Sequence, residues 1–486
     1  MDYKMYINGE WVESASGKTF ESVNPANKKS LGTFQKGTKE DVNAAIDAAE
    51  GAFEKWSSTP APRRGEILFK VAEILKRRKE ELSKLVTIEM GKAIKEGRGD
   101  VQEAIDTAEY FAGEGRRLFG HTTPSELPDK FAMTIRQPVG VMGLITPWNF
   151  PIAIPSWKVL PALICGNTMV LKPASDTPLC ATKFVEVLAE AGVPKGVVNM
   201  VTGSGGEVGD PIVESKKIRG ISFTGSHEVG EAITRKIGIR KLGLELGGKN
   251  AIIVMDDAKL DLVVEGIIWG GYGTTGQRCT AASRVIVHEK VKGRLEKMLV
   301  ERISKLRLGD GLDLKTDVGP LVNEKAAQKT HKYTEIAGKE GAKLLIGAEF
   351  GPKTGFFYKP TLYSDCTCDM KCCQEEIFGP FVSMIPVKGL GEAIEVCNNI
   401  EYGLSSSIYT ENMRNAFKAI YGIEAGITYI NSSTIGAEAH LPFGGVKGTG
   451  NGTREAGIEG IHEFSETKTV YFDYSGKLQK AQIDVD

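Results

Sequence analysis

Amphipathic helical patterns dominate the first part of the chain. Residues 38–57 combine an alanine-rich apolar stripe with polar residues on the other face, and Thr38 and Asp41 stand at the spacing of an N-terminal capping box. Apolar residues recur with the same period over 62–85 and 97–114. The pattern therefore predicts helices with one solvated face throughout this region.

From residue 141 the pattern changes to short apolar runs that alternate with amphipathic ones. The runs VGVMGLIT, NTMVLKP, VVNMVTG, IRGISFTG and LGLELGG predict strands, and the segments PSWKVLPALI, TKFVEVLAEAG, GDPIVES and EVGEAITRKIG between them predict helices. Strands and helices that alternate in this way form a parallel sheet with helices on both faces. Ligands bind at the carboxyl ends of such strands, so the residues that follow them are the first candidates for a site.

A second α/β region extends from about residue 250 to 445. Helical periodicity covers 258–270, 289–306 and 323–340, and strand-like runs occupy 284–288 and 382–386. The sequence thus predicts a second domain of the same class.

In two outlying segments, apolar and polar residues alternate as they do in β-strands. Residues 130–140 interrupt the helical region, and residues 467–474 lie in the tail. The two segments can pair with each other. As protruding strands they suggest contacts between subunits, although a hairpin confined to one chain fits the pattern equally well.

Composition narrows the functional class. Hydrophobic residues make up 41% of the 486 residues and charged residues 25%, with 61 basic side chains against 62 acidic ones. This balance provides no overall field for nucleic acid or an anionic membrane, and we expect neither as a partner. The first residues resemble no export signal and the apolar stretches are too interrupted to span a bilayer, so we expect a cytoplasmic protein.

The eight cysteines indicate reduced thiols rather than a disulfide framework. Four of them stand in CTCDMKCC, residues 366–373. We expect packing and no metal here, because paired C-x-x-C spacing and a nearby histidine are missing and because Cys372 and Cys373 would point to opposite faces of a strand. Apolar helical surroundings predict packing also for Cys165, Cys180 and Cys397.

Cys279 has different surroundings. It stands in GYGTTGQRCTAASR, among small, polar and glycine residues. Its thiol can be a nucleophile, a metal ligand or a small apolar filler, and the local sequence alone leaves these alternatives open.

Three short stretches are candidates for a nucleotide site. In ISFTGSHEVG a strand ends at Gly225 and Ser226 where a helix begins, so free amides and the helix dipole favour a phosphate there. Lys172 follows the strand NTMV, from where its cation can reach a ribose or a phosphate. A capped turn and a solvated lysine are the plain structural alternatives. GSGGEVG, which contains Gly205, is a weak indication because its glycines miss the G-x-G-x-x-G register.

Four further motifs bear on these alternatives. The chain carries TPWNFP at 146–151, ELGGKN at 245–250, GQRC at 276–279 and EEIFGP at 375–380. In that order and at those separations they resemble the NAD(P)-dependent aldehyde dehydrogenase superfamily, and the similarity extends from INGEW near the start to PFGG and the β-rich tail. The resemblance implies an α/β fold with a Rossmann-type cofactor domain, an α/β catalytic domain and a small β oligomerisation extension.

The resemblance also implies domain boundaries. Residues 1–121 and 141–246 would form the cofactor-binding domain, and residues 247–447 the catalytic domain. Residues 122–140 and 448–486 would supply oligomerisation strands and the tail. We therefore expect a homodimer or a homotetramer.

By this resemblance Cys279 is the nucleophile that attacks the aldehyde carbon. The Asn149 side-chain amide and the Cys279 backbone N–H would hold the oxyanion of the thiohemiacetal. Glu245 occupies the position of the base that activates water against the later thioester. Arg278 would supply a positive charge that favours the thiolate. Because Cys279, Glu245 and Asn149 are all present, we expect an enzyme rather than a structural derivative of the family.

Cofactor residues are implied in the same way. Glu376 matches the position that binds the nicotinamide ribose, with Phe378 beside the ring, and Gly225 and Ser226 match the pyrophosphate turn. The complete set implied for NAD(P) is Thr146, Pro147, Trp148, Lys172, Ser175, Gly205, Gly225, Ser226, Leu246, Glu376 and Phe378.

Ser175 bears on the choice between NADP and NAD. Family members that prefer NAD commonly have a glutamate there, which would face a 2′-phosphate at about 4 Å with a repulsion on the order of 4 kcal/mol at an effective dielectric of 20. Serine removes this repulsion, and Lys172 adds attraction. We expect NADP to be preferred and NAD to remain usable, although Asp176 next to Ser175 is acidic.

The expected substrate is a small aldehyde. The runs NFPIAIPSWK, AGEGRR and TGQRCTAASRVIV are most similar to family members that oxidise 2-oxoglutarate semialdehyde (2,5-dioxopentanoate) to 2-oxoglutarate. The arginine pair usual in succinate semialdehyde enzymes is replaced by Trp157 and Gly273. A broad-specificity or glyceraldehyde dehydrogenase is the alternative, with succinate and aminoadipate semialdehyde behind it. The candidate substrate residues are Arg278, Arg116, Arg117, Trp157 and Asn431.

Overall fold

Alternating strands and helices fill most of the chain, as the sequence pattern predicts. The computed structural model describes residues 1–483. Its strands are β1 Asp2–Tyr3, β2 Met5–Ile7, β3 Glu10–Val12, β4 Thr19–Val23, β5 Ser30–Gln35, β6 Thr122–Pro124, β7 Lys130–Pro138, β8 Val141–Ile145, β9 Thr168–Lys172, β10 Val198–Met200, β11 Gly220–Thr224, β12 Lys241–Glu245, β13 Asn250–Val254, β14 Ala282–His288, β15 Lys343–Ile346, β16 Thr361–Ser364, β17 Phe381–Val387, β18 Tyr402–Gly403, β19 Ser405–Tyr409, β20 Ile427–Ile430, β21 Val446–Lys447 and β22 Ser465–Asp473.

The helices complete the alternation. The α-helices are α1 Lys39–Ser58, α2 Ala61–Arg77, α3 Lys79–Met90, α4 Ile94–Glu114, α5 Ala153–Cys165, α6 Pro178–Glu190, α7 Asp210–Glu214, α8 His227–Ile237, α9 Leu260–Tyr272, α10 Glu289–Ser304, α11 Glu324–Lys339, α12 Lys371–Gln374, α13 Leu390–Asn398, α14 Met413–Gly422 and α15 Gly457–Glu463. A π-helical turn covers Gly205–Gly209, and 3₁₀ turns cover Gly273–Gly276 and Ala481–Ile483.

The first large sheet has seven strands in the order β12-β11-β8-β9-β10-β2-β3. The strands from β12 to β10 are parallel, and β2 and β3 add an antiparallel edge. Ile145 is in register with Lys172 and with Phe223, and Thr224 is in register with Glu245. The carboxyl ends of these parallel strands therefore meet at one edge, which is where the parallel-sheet prediction placed a ligand site.

The second large sheet has the order β15-β16-β17-β14-β13-β19-β20. It is parallel except for the antiparallel pair β15 and β16. β14 and β17 confirm the strands predicted around 284–288 and 382–386. The loops before β14 and β17 carry Cys279 and Glu376, so both residues lie at the amino-terminal edge of this sheet.

The front region confirms the predicted helices, with one difference. Thr38 and Asp41 form the predicted capping box, in which the Thr38 backbone N–H donates to Asp41 Oδ2 at 2.9 Å. The helix predicted over 62–85 is instead two helices, α2 and α3, separated at Arg78, where φ is −95° and ψ is 8°. The apolar period continues across the break because both helices pack against α4.

The two outlying strands pair as predicted. β7 and β22 are antiparallel over their whole length, from Ser465 opposite Pro138 to Asp473 opposite Lys130, and β6 joins the other edge of β7. Phe472 and Tyr471 remain exposed on this sheet by 53% and 64%. Across the described residues 1–483, none of the helices is long and apolar enough to cross a bilayer.

The strand predicted at Cys372 and Cys373 is wrong. These residues lie in the short helix α12, where consecutive side chains do not alternate between two faces. Both thiols are buried, together with that of Cys366, so the geometric reason given against a shared ligand at this segment no longer holds.

Candidate active site

Cys279 lies where two cavities meet. One cavity, of about 240 Å³, is lined by residues of the predicted cofactor set, and the other, of about 260 Å³, is lined mainly by aromatic and charged side chains. Cys279 lines both, as do Thr224 and Leu246. The nucleophile predicted from the sequence therefore stands between a space for one ligand and a space for another.

The backbone around Cys279 is held by buried side chains. Asn250 Nδ2 donates to the Cys279 carbonyl at 2.7 Å and to the Ala281 carbonyl at 3.0 Å. Upstream, Thr274 and Thr275 have positive φ angles of 50° and 58°. Such angles are costly for residues with branched side chains and are characteristic of functional loops.

Burial raises the pKa of the Cys279 thiol above its usual range, and the nearby carboxylates of Glu245 and Glu376 raise it further. The prediction that a positive charge from Arg278 lowers this pKa is wrong for the ligand-free protein. The thiol is protonated at neutral pH, so a base must remove its proton before it can act as a nucleophile.

Asn149 lies beside Cys279 in the first cavity. Its side chain is buried, and its Nδ2 donates to the Gln277 carbonyl at 3.1 Å. That bond uses one of the two amide N–H groups and fixes the orientation of the other. An oriented amide beside a nucleophile can stabilise an oxyanion, as the resemblance implies.

Glu245 is a buried carboxylate without a partner. It is 4% exposed, and neither carboxylate oxygen has a hydrogen-bond partner among residues 1–483. Burial, and next the charge of Glu455, raise the pKa of Glu245 well above its ordinary value. A carboxylate with a raised pKa is suited to accept a proton near neutral pH.

A buried charged network stands behind Glu245, and the sequence did not reveal it. Lys158 Nζ forms an ion pair with Glu455 and donates to Ser222 Oγ at 2.8 Å. Burial also raises the pKa of Glu463 in this group to about 7. Lys158 and Glu455 are 297 positions apart, so no local pattern could indicate that they meet.

Aromatic and acidic side chains form one wall of the first cavity. Trp148 and Phe378 pack edge to face with their ring centres 5.4 Å apart. Phe378 has a positive φ of 61°, a strained conformation that holds the ring at the cavity. Glu376 Oε1 accepts the Gly248 N–H at 2.9 Å, and burial raises its pKa. Lys329, on α11, lines the same wall and was not predicted.

The opposite end of this cavity has the features of an anion site. β11 ends at Thr224, and α8 begins after Ser226, whose Oγ accepts the Val229 N–H as a helix cap. Thr224 Oγ1 is buried and, within the described chain, has no hydrogen-bond partner. Leu246 lines the cavity and packs against Gly230. A Cβ added at Gly230 would stand 2.4 Å from Leu246 Cδ2. A helix terminus, a free hydroxyl and a flat floor fit a dinucleotide phosphate.

The remaining predicted cofactor residues lie around the end of β9. Lys172 is buried, its Nζ donates to the Pro173 carbonyl at 2.9 Å, and burial lowers its pKa to about 8. Ser175 Oγ donates to the Gly203 carbonyl at 3.0 Å, and the Asp176 carboxylate accepts from Asn323 Nδ2 at 2.9 Å.

Of three further members of the set, Pro147 lines the first cavity, whereas Thr146 and Gly205 are not among its lining residues. The Thr146 N–H donates to the Lys172 carbonyl at 3.1 Å. Gly205 begins the π-helical turn, with free space where a side chain would stand.

Arg278 lines the second cavity and is held in place by several contacts. Arg278 forms an ion pair with Glu96 at 3.1 Å, and its Nε donates to Thr274 Oγ1 at 2.8 Å. Its guanidinium lies 5.3 Å from the ring centre of Phe150 and 4.8 Å from that of Trp269. These contacts pre-organise a planar cation on the wall of the cavity. Glu96, Phe150 and Trp269 were not predicted, because their separation in sequence hides the contact.

Three predicted substrate residues lie elsewhere. Arg116 and Arg117 are exposed beyond the end of α4, and Arg117 pairs with Glu114 at 2.7 Å. Asn431 is a turn residue with a φ of 54°, whose side chain bonds the backbone of Thr410. None of the three lines the cavity beside Cys279. We therefore correct them to surface and turn residues.

Trp157 does reach the second cavity. It is 4% exposed and packs against Phe443 with ring centres 4.9 Å apart. Tyr429 lines the same space and was not predicted. The lining thus combines aromatic side chains and the fixed Arg278 guanidinium with Lys95 and with the acidic side chains Glu96, Asp100, Glu103, Glu245 and Glu455. Burial raises the pKa of Glu103 to about 8.

Known proteins share this architecture. A model of the aldehyde dehydrogenase family matches residues 11–470. The 2,5-dioxopentanoate dehydrogenase of Saccharolobus solfataricus is 41% identical over 95% of this chain and 98% of its own. The alpha-ketoglutarate semialdehyde dehydrogenase of Haloferax volcanii is 42% identical over 97% of this chain and 99% of its own.

A solved structure superposes closely on the chain. The betaine aldehyde dehydrogenase of Staphylococcus aureus in complex with NAD+ gives a TM-score of 0.96 at 36% identity, over 98% of this chain and 96% of that one. The α/β architecture with two large, mostly parallel sheets is therefore common to both proteins.

Proposed function

The chain belongs to the aldehyde dehydrogenase family and oxidises aldehydes with NAD(P), and we propose that its substrate is an aldehyde with a terminal carboxylate, best represented by 2-oxoglutarate semialdehyde. The observation that carries the proposal is the position of Cys279 between the two cavities, with Arg278 fixed on the wall of the second. The product of this reaction is 2-oxoglutarate.

Cys279 and Asn149 carry the first step. After loss of its proton, the Cys279 sulfur attacks the aldehyde carbon, and the carbonyl oxygen becomes an oxyanion. The oriented amide of Asn149 and the Cys279 backbone N–H donate to that oxygen. Losing one such donor costs about 3–4 kcal/mol of transition-state stabilisation. The buried, protonated state of the thiol makes this step dependent on a base.

Glu245, which lines the second cavity together with Cys279, takes the thiol proton in the first step and releases it to solvent before the second. Bound NAD(P), which the residues of the first cavity would hold, would supply the acceptor for the hydride of the carbon attached to Cys279, and a thioester would remain on the sulfur. Glu245 then takes a proton from the water that cleaves this thioester and releases the acid. The raised pKa of Glu245 suits this role, because the carboxylate is a stronger base than an exposed glutamate.

The residues of the first cavity would hold NAD(P). Thr224, Gly225 and Ser226 offer a free hydroxyl and a helix terminus to the phosphates, and Glu376 offers its remaining lone pairs to a ribose. We propose that NADP is preferred over NAD. Ser175 places no charge at the 2′-phosphate position, and the neighbouring Asp176 is engaged by Asn323.

Arg278 would bind the carboxylate of the substrate. A guanidinium can bond both oxygens of a carboxylate, and the ion pair with Glu96 leaves part of its donor fork for the cavity. The surrounding rings of Phe150, Trp157 and Trp269 would contact the carbon chain. The same aromatic lining would also accept uncharged aldehydes, so a broad-specificity enzyme, glyceraldehyde included, is the alternative.

A substrate panel tests the proposal. We would measure kcat/KM with 2-oxoglutarate semialdehyde, succinate semialdehyde, glyceraldehyde and an uncharged aliphatic aldehyde, each with NADP and with NAD. In Arg278→Gln, kcat/KM for the carboxylated substrates should fall about 10–150-fold, as expected for a lost charge-assisted hydrogen bond of about 1.5–3 kcal/mol. The uncharged aldehyde should change much less. Arg117→Gln, which removes an exposed arginine, is the matched control.

A flat profile across the panel would exclude a carboxylate-specific enzyme. Equal losses for charged and uncharged aldehydes in Arg278→Gln would instead assign Arg278 to the support of the Cys279 loop, since it also bonds Thr274.

We propose further that β7 and β22 join subunits in a homodimer or homotetramer. Their sheet carries exposed aromatic side chains, including Phe472 and Tyr471, which favour burial against another surface. We also propose that the chain is divided into a cofactor-binding domain, a catalytic domain and oligomerisation strands. Light scattering of the wild-type protein and of Phe472→Ser tests the interface.

A further inference from the structure

Three cysteine thiols outside the active site converge on one point. The Sγ atoms of Cys366, Cys372 and Cys373, which we call the thiol cluster, all lie within 4.8 Å of one another. Cys372 Sγ and Cys373 Sγ are 3.9 Å apart. The three residues are at most 2% exposed. Cys368, the fourth cysteine of this segment, lies outside the cluster, and its Sγ is 3.5 Å from Asp369 Oδ1.

The spacing of the thiol cluster is close to that of thiolates around one metal ion. Zn–S bonds of about 2.3 Å in a tetrahedral site place neighbouring sulfurs about 3.8 Å apart. The separations here exceed that value by at most about 1 Å. Rotations about the Cα–Cβ bonds can close such a gap. Ser383 Oγ donates to the Cys372 carbonyl at 3.5 Å, so its hydroxyl lies next to the thiol cluster.

A buried cation next to the thiol cluster fits the charge of such a site. Lys249 is 2% exposed, and its Nζ has no hydrogen-bond partner in the described part of the chain. Its charge interacts with the thiols of Cys373 and Cys372. Three thiolates around a divalent ion carry one net negative charge. The Lys249 ammonium would balance that charge, which offsets part of the cost of burying either charge alone.

We propose that the thiol cluster binds one thiophilic divalent metal ion, with Zn²⁺ as the reference ion, and that the bound ion fastens the loop that carries Glu376. Cys373 precedes Glu376 by three residues, and Lys249 directly follows Gly248, which donates to Glu376. Cys366 follows the last residue of β16, Ser364, by two positions, so the ion would join the segment after this strand to α12. Its role is structural, because the cluster is buried away from both cavities at Cys279.

Metal titration of the reduced, chelator-treated protein tests the proposal. One Zn²⁺ should bind per chain, raise the melting temperature and lower KM for NADP. Co²⁺ should give sulfur-to-cobalt charge-transfer absorption. Cys373→Ser should weaken Zn²⁺ binding more than about 100-fold, because changes to outer-shell partners alone cost about 10–100-fold. Cys366→Ala, which keeps an apolar side chain, is the second variant should Cys373→Ser fail to fold.

Two matched variants serve as controls. Cys368→Ser removes a neighbouring thiol outside the cluster, and Cys279→Ser removes the catalytic thiol. Both should bind one Zn²⁺ as the wild type does. Folded wild-type protein that takes up no Zn²⁺, with its eight thiols free or with a disulfide inside the cluster, would overturn the proposal. Undiminished binding by both Cys373→Ser and Cys366→Ala would do the same.

Discussion

The variant Glu245→Gln tests two properties of Glu245. One is its role in catalysis, and the other is the effect of its buried carboxylate on the free energy of unfolding. Glutamine keeps the shape of the side chain but neither accepts a proton nor carries a charge. A general base contributes about 10²–10⁴-fold to a rate, so kcat should fall by that factor. Because both the loss of the Cys279 proton and thioester hydrolysis use this base, rapid mixing should show a slowed first turnover as well as a slowed steady state.

The same variant should be more stable than the wild type at high pH. The pKa of Glu245 is raised in the folded state, so its contribution to stability is fully present below its unfolded pKa of about 4.3 and is lost as the pH rises toward the raised value. Each pH unit in that window is worth about 1.4 kcal/mol. Between pH 5 and pH 8 the ceiling is about 4 kcal/mol.

The length of the chain determines how far this difference in unfolding free energy shifts the melting temperature. At about 2.1 cal/mol/K per residue, 486 residues give an unfolding entropy of about 1 kcal/mol/K, so 1 kcal/mol shifts the melting temperature by about 1 °C. The melting temperature of Glu245→Gln minus that of the wild type should therefore increase by up to about 4 °C from pH 5 to pH 8. Glu54→Gln, at an exposed helical position, is the control and should show no such trend.

Scanning fluorimetry and stopped-flow absorbance measure the two effects on the same samples. A kcat within threefold of the wild-type value would refute the assignment of Glu245 as base. A melting-temperature difference that is equal at pH 5 and pH 8 would refute the inference that burial raises its pKa.

Further predictions concern the cavities. Asn149→Ala should lower kcat about 10²–10³-fold, because one oxyanion donor is lost, and steady-state kinetics with an unchanged circular dichroism spectrum checks this. Ser175→Glu should lower kcat/KM for NADP relative to NAD about 5–1000-fold, which corresponds to about 1–4 kcal/mol of repulsion, and a ratio that stays constant would contradict the NADP proposal. Gly230→Ala should raise KM for the cofactor about 5–150-fold, since the new Cβ pushes Leu246 into the first cavity. Gly293→Ala, on an open helix face, is its control and should leave KM unchanged.

The sequence by itself determined the parts of this protein that depend on near neighbours. The capping box at Thr38, the alternation of strands and helices from residue 141, and the helix start after Ser226 follow from periodicity and cap chemistry within a few residues. The pairing of β7 with β22 was also predictable, because two isolated alternating segments had few other partners.

Only the tertiary structure decided which distant groups meet. Lys158 reaches Glu455, and Arg278 reaches Glu96, because the fold brings together elements that lie far apart in the sequence. Periodicity carries no information about such contacts, and for the same reason Arg116 and Arg117 were wrongly assigned to the substrate cavity.

The protonation of the catalytic groups is likewise a property of the fold. Burial, which only the packed chain creates, raises the pKa of both Cys279 and Glu245, whereas the adjacent Arg278 had predicted the opposite shift for Cys279. The thiol cluster likewise depends on the fold. A short helix turns Cys372 and Cys373 toward Cys366, where an extended strand would have separated them.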